Sequence, residues 1–229
     1  MKDRRRALRG LVLAVWAAFF GWLWLSGEMT RYLGPRTYWV VVFGSITLGL
    51  ASAGHVWGLR ERSLAPTRSD LGGALLLLLP LVAVIVVPDA RLGAQAASRK
   101  ASSGGFAAAA LIPVPEAGGE ISFREIDYAS ESKEYAVSAG VDDGLSVELT
   151  GFVTHPSGGP ETFSLTRFYV SCCAADAIPF SVPVAAEGGD LPDDTWATVA
   201  GTLRRSASGF VLDASRIEPS PPPDDPYLY

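Results

Sequence analysis

The chain has 229 residues, of which 48% are hydrophobic and only 19% charged, with a formal net charge of −5. Its positive mean hydropathy of +0.24 argues against an ordinary soluble globule and against a disordered chain. Charge is segregated: residues 1–100 carry 13 Lys/Arg against 5 Asp/Glu, a net of +8, and residues 101–229 carry 6 against 19, a net of −13; a basic apolar half then precedes an acidic half with no basic stripe for nucleic acid.

Three apolar segments come first: residues 8–26, 38–59 and 71–88. A bilayer core needs about 20 helical residues, so each reads as a transmembrane helix, and residues 1–88 as a membrane anchor. The first is longer and richer in Trp than a signal peptide, and no small-x-small cleavage site precedes Glu28. Lys2, Arg4, Arg5, Arg6 and Arg9 precede it, and Arg60, Arg62 and Arg68 fill the second loop, against Arg31 and Arg36 in the first. The richer loops face the cytoplasm. That places the N-terminus inside and the C-terminal domain outside, in a multi-pass cell-membrane protein. Ser45, Gly49 and Ala53 recur at spacing four in the second helix. Small residues of this kind let helices approach closely in lipid, either within the chain or against a partner.

Residues 89–120 are rich in Ala, Gly, Ser and Pro and read as a linker. Residues 121–137 read as a short strand running into a polar helix. From Leu145 the pattern turns β-like. Leu145–Val153 and Thr162–Cys173 alternate, Ile178–Val184 is broken by Pro179 and Pro183 and belongs at an edge or kink, and 195–203 with 210–217 make a hairpin around Ser206–Gly209. Gly151 and Gly201 fall where strands would bend. Five short strands in this order predict a small all-β OB-like barrel spanning 121–218, followed by a disordered Pro-rich tail, 219–229.

Chemistry concentrates in Arg167–Pro179, RFYVSCCAADAIP, where Cys172 and Cys173 stand beside Asp176 and no other cysteine occurs. Three readings stay open. A vicinal disulfide must stretch a Cα spacing of about 3.8 Å towards the preferred range of about 4.4–6.8 Å. A metal site needs the strand to end at the cysteines, because neighbouring strand side chains point to opposite faces. Cys172, Cys173 and Asp176, with His155 from the neighbouring hairpin end, would then offer thiolate, carboxylate and imidazole to zinc or copper. The third reading buries the thiols as small hydrophobes, with Asp176 fixing the turn and Arg167 paired to an acid. Trp196 reads as core. No G-x-S-x-G, H-E-x-x-H or phosphate-loop pattern occurs, so no enzyme is expected.

The blocks GFVTH, RFYVSCCAADAIP and LPDDTWATVAGTL, with the apolar LLLLP…VPDARLG stretch, resemble the YcgQ-like family of bacterial membrane proteins over nearly the whole chain. Cys172, Cys173, Asp176 and Arg167 fall on its marked motif. The chain departs from the family by a longer Ala/Gly/Ser-rich linker and by its Pro-rich tail. The resemblance implies an accessory subunit of a two-component permease, beside a larger polytopic permease in the lipid bilayer. The outer domain would gate that partner or deliver a ligand to it. The alternative is a membrane-tethered thiol redox or metal-binding protein.

Overall fold

The computed structural model describes residues 4–57, 67–86, 92–102, 113–116, 118–155, 163–186 and 191–229. These fall into two compact units divided between Arg91 and Leu92.

The first unit is helical. Helix α1 spans Arg4–Ser26, α2 spans Tyr38–Trp57, and α3 spans Arg68–Val86 with Pro80 inside it. Two apolar helical stretches, Arg4–Ser26 and Pro35–Trp57, are long enough to cross a membrane. They pack on each other through small residues and hydroxyls. Ser45 Oγ donates to the Ala17 carbonyl at 3.0 Å and Ser52 Oγ to the Gly10 carbonyl at 2.8 Å, while a Cβ on Gly49 would touch that of Ala17. Ser45 and Gly49 therefore serve contacts within the chain. Ala53 is exposed, and Ser52 takes the place expected for it. At 3.6 residues per turn, seven residues return to within about 20° of the starting face, whereas eight drift by about 80°. Helix α3 is tied to α1 by Arg5 Nε to Asp70 Oδ1 at 2.8 Å and by Trp16 Nε1 donating to the Leu77 carbonyl at 3.2 Å.

In the second unit, strands β1 (Ser146–Thr154), β2 (Phe163–Tyr169), β3 (Ile178–Ala185), β4 (Trp196–Ser206) and β5 (Gly209–Pro219) close into a five-stranded barrel. Strand β1 pairs antiparallel with both β2 and β4, and β3 closes on β5 in parallel, an order consistent with an OB-like barrel. Two glycines permit the closure. A Cβ on Gly201, at the β4–β5 bulge, would run into the Asp213 backbone; one on Gly151 would meet the Phe123 ring and the Thr166 carbonyl, both at 2.9 Å. Strand β3 lies between β2 and β5 rather than at an edge of the sheet order. Within β3 only Val184 and Ala185 pair with β5, so the earlier part of β3 keeps one unpaired side where Pro179 and Pro183 are tolerated.

Residues 121–137 contain no strand. Ser122 caps helix α5 (Phe123–Glu131), accepting from Arg124 N at 3.3 Å, while Glu125 accepts from Ser122 N at 2.9 Å. This capping box outweighs the strand-like Ile121–Phe123. Helix α6 (Lys133–Ala139) follows directly. Phe123, Ile126 and Ala129 share one face of α5 and join the barrel interior with Leu165, Val199 and Leu212.

Part of the expected linker is also helix. Helix α4 (Ala94–Ser102) begins where Ala94 N donates to Asp194 Oδ1 at 2.5 Å. Its Ala97 packs with Phe152, Phe168, Val170 and Tyr227 in a second cluster. The expectation of a disordered tail is overturned. Strand β6 (Tyr227–Leu228) pairs in parallel with Phe168 and Tyr169 of β2, and Tyr227 is buried. The Pro-rich run hid a Tyr-Leu-Tyr ending with aromatic surface to bury. Residues 106–112 of the expected linker and residues 156–160 after β1 lie outside the described residues.

Candidate functional site

Strand β2 ends at Tyr169, and Val170 N donates to the Leu228 carbonyl at 3.0 Å. The chain then leaves the ladder through Ser171, Cys172 and Cys173, makes a 3₁₀ turn at Ala174–Asp176, and re-enters the sheet at Ile178. The strand thus stops before the cysteines, and the opposite-face rule for neighbouring residues no longer applies.

Asp176 organises the turn. Its Oδ1 accepts from Ser171 N at 3.0 Å, and its Oδ2 accepts from Cys172 N at 2.7 Å and Cys173 N at 3.3 Å. Asp176 N donates back to the Cys173 carbonyl at 2.9 Å. The two sulfurs, not joined in a disulfide, stand 3.7 Å apart. Sulfurs and carboxylate all lie within 4.8 Å of one another. Among the described residues this is the one group of three or more His, Cys, Asp or Glu side chains so arranged. Cys172 is exposed, and Cys173 and Asp176 are half-buried.

The electrostatics follow from the contacts. Partial burial pushes the Asp176 pKa up, but the bonds it accepts from Cys172, Ser171 and Cys173 outweigh this and hold it below the usual carboxylate value. The Cys172 thiol is pushed up to about 12, first by its hydrogen bond to Asp176 and next by the Cys173 thiol. The negative charge rests on oxygen, and sulfur keeps its proton until a cation displaces it. Lys100 of α4 donates to the Ala175 carbonyl at 2.9 Å and anchors the turn from a second element. Nothing in the sequence pattern linked Lys100 to this motif.

The other expected members lie elsewhere. His155 follows β1, which runs antiparallel to β2 with Thr154 opposite Ser164. It therefore sits beside the start of β2, while the cysteines follow its end, roughly 20 Å away at about 3.3 Å per residue. There Asp193 Oδ1 meets His155 Nδ1 at 2.8 Å and accepts from its backbone N at 3.1 Å. Arg167 does not pair with Asp176. Its Nη2 donates to the Asp225 carbonyl at 2.6 Å and its Nε to the Pro226 carbonyl at 3.3 Å, holding the C-terminal segment. Burial lowers the Arg167 pKa. Trp196 is half-buried against Phe152, ring centroids 5.8 Å apart, as part of the second cluster's packing.

The family model described as the DUF1980 C-terminal domain matches residues 111–229, which include every barrel strand and the thiol turn. No curated protein matches the chain.

Proposed function

The chain belongs to the DUF1980 family, and on that premise we propose that it is a membrane-tethered accessory subunit of a bacterial permease, of the narrower YcgQ-like kind. Three helices, α3 included, hold it in the cell membrane with the N-terminus in the cytoplasm and the barrel outside. The barrel presents a ligand to a larger polytopic partner.

The observation that carries this reading is the Cys172–Asp176 turn, with two thiols and a carboxylate converging at the barrel surface. The apolar helices support it by what they contain. No Asp, Glu, Lys or Arg stands between Arg9 and Glu28, between Arg36 and Trp57, or after Asp70 in α3. Such segments offer no charged relay for a solute, so transport is the partner's task.

Affinity purification of the tagged full chain from native membranes tests this. A polytopic permease should copurify, and a cytoplasm-specific reporter fused after Tyr229 should be silent. A chain that purifies alone, or an active reporter, contradicts the assignment.

A further inference from the structure

We propose that Cys172, Cys173 and Asp176 form a three-ligand site for a zinc ion, with the fourth coordination position left open. The inference deepens the reading above, since it names the ligand class that the barrel would present.

The argument is geometric. Zinc–thiolate bonds are about 2.3 Å long. Two sulfurs 3.7 Å apart, each at that distance from one ion, subtend about 107° at it, close to the tetrahedral angle. The turn thus holds the sulfurs near the bite of a tetrahedral ion, with little rearrangement needed. The carboxylate lies within 4.8 Å of both sulfurs, so it can supply a third ligand from the same side. A mixed sulfur and oxygen set suits zinc, a borderline-soft ion, better than cuprous copper, which favours sulfur alone.

The surroundings fit a held but exchangeable ion. Backbone N–H groups of Ser171, Cys172 and Cys173 fix the carboxylate, and Lys100 fixes the turn through Ala175. Such outer contacts orient ligands before the ion arrives. Structural zinc is closed by four protein ligands, whereas a site with three keeps a place for water or an incoming ligand. An exposed Cys172 puts that place at the surface, where a partner's side chain could take the ion over.

The test uses the reduced full chain in detergent. It is titrated with zinc chloride against a chromophoric chelator, and in parallel with cobalt(II). One zinc per chain is expected, with a thiolate-to-cobalt charge-transfer band and d–d bands of tetrahedral intensity. Cys172→Ser and Cys173→Ser should each lower zinc affinity at least 100-fold. Asp176→Asn keeps one oxygen acceptor, enough for the Cys172 and Cys173 N–H groups but not also for that of Ser171, and should lower it about 10-fold. Circular dichroism melts verify that each variant is folded. A variant that does not fold is replaced by Cys172→Ala or Cys173→Ala, for which the same loss is expected. Absence of stoichiometric zinc, a six-coordinate cobalt spectrum, binding of cuprous copper alone, or unchanged affinity in the folded cysteine variants overturns the site. Zinc bound without a copurifying permease would leave the site standing and remove the permease role. A copurifying permease without zinc would do the opposite.

Discussion

The two ends of β2 each set a carboxylate against a metal-ligand side chain, with opposite results. At the start of the strand one Asp193 oxygen takes both the ring and the backbone N–H of His155, and the pair is closed on itself. At the far end Asp176 takes three backbone N–H groups and the Cys172 thiol, and the bend this enforces turns two sulfurs towards one point. The difference teaches that a ligand-type residue becomes a site through what its neighbours gather around it. Asp193 forms a single pair with the imidazole, while Asp176 organises the backbone and holds the Cys172 thiol in one cluster with Cys173.

Substitutions should separate the two ends. The largest effect is expected from Tyr227→Ala. It empties a buried position in the strand that pairs with Phe168 beside the thiol turn, and should cost the barrel about 3 kcal/mol in a denaturant melt. It should also weaken zinc binding while leaving the His155–Asp193 contact intact, as read from histidine NMR shifts. Next comes Asp176→Ala. Three backbone donors lose their acceptor, and the expected loss is about 1–3 kcal/mol, accompanied by loss of zinc. If melts show no change, the carboxylate does not organise the turn.

A third carboxylate sharpens the comparison. Among the described residues Asp127 on α5 lacks the donors that Asp176 enjoys, and burial, with Glu131 nearby, raises its pKa to about 6. Below about pH 4 it is protonated folded or unfolded and costs nothing. From there to about pH 6 the unfolded chain ionises first, so stability falls as pH rises, and above that range the cost is complete. Allowing for partial exposure, Asp127→Asn should stabilise the barrel by roughly 1 kcal/mol at pH 7 and by nothing at pH 3.5. A gain of equal size at both values would contradict this. The smallest effect is expected for His155→Ala. Zinc affinity should stay within about twofold and stability within about 1 kcal/mol, and a large loss of zinc would restore His155 as a ligand.

Much of this was legible in the residues. Alternation gave the barrel strands, Gly201 marked the bulge, and the isolation of Cys172 and Cys173 marked the turn. The errors arose where local chemistry competes with pattern. Ile121–Phe123 looks like a strand, yet Ser122 and Glu125 cap a helix. Four prolines among residues 221–226 suggest disorder, yet Arg167 holds the carbonyls of Asp225 and Pro226 while Tyr227 finds a buried place. His155 was matched to the cysteines by residue type and by an expected place at the neighbouring hairpin end. Antiparallel register, a long-range property, put them at opposite ends of β2. Ala53 was chosen by a spacing of four, which drifts off the face that Ser52 keeps.

Zinc K-edge X-ray absorption on the zinc-loaded full chain tests the central claim most directly. The account predicts two sulfur scatterers at about 2.3 Å with the remaining shell of oxygen or nitrogen. A shell of oxygen and nitrogen alone, or one of four sulfurs shared between chains, would contradict it.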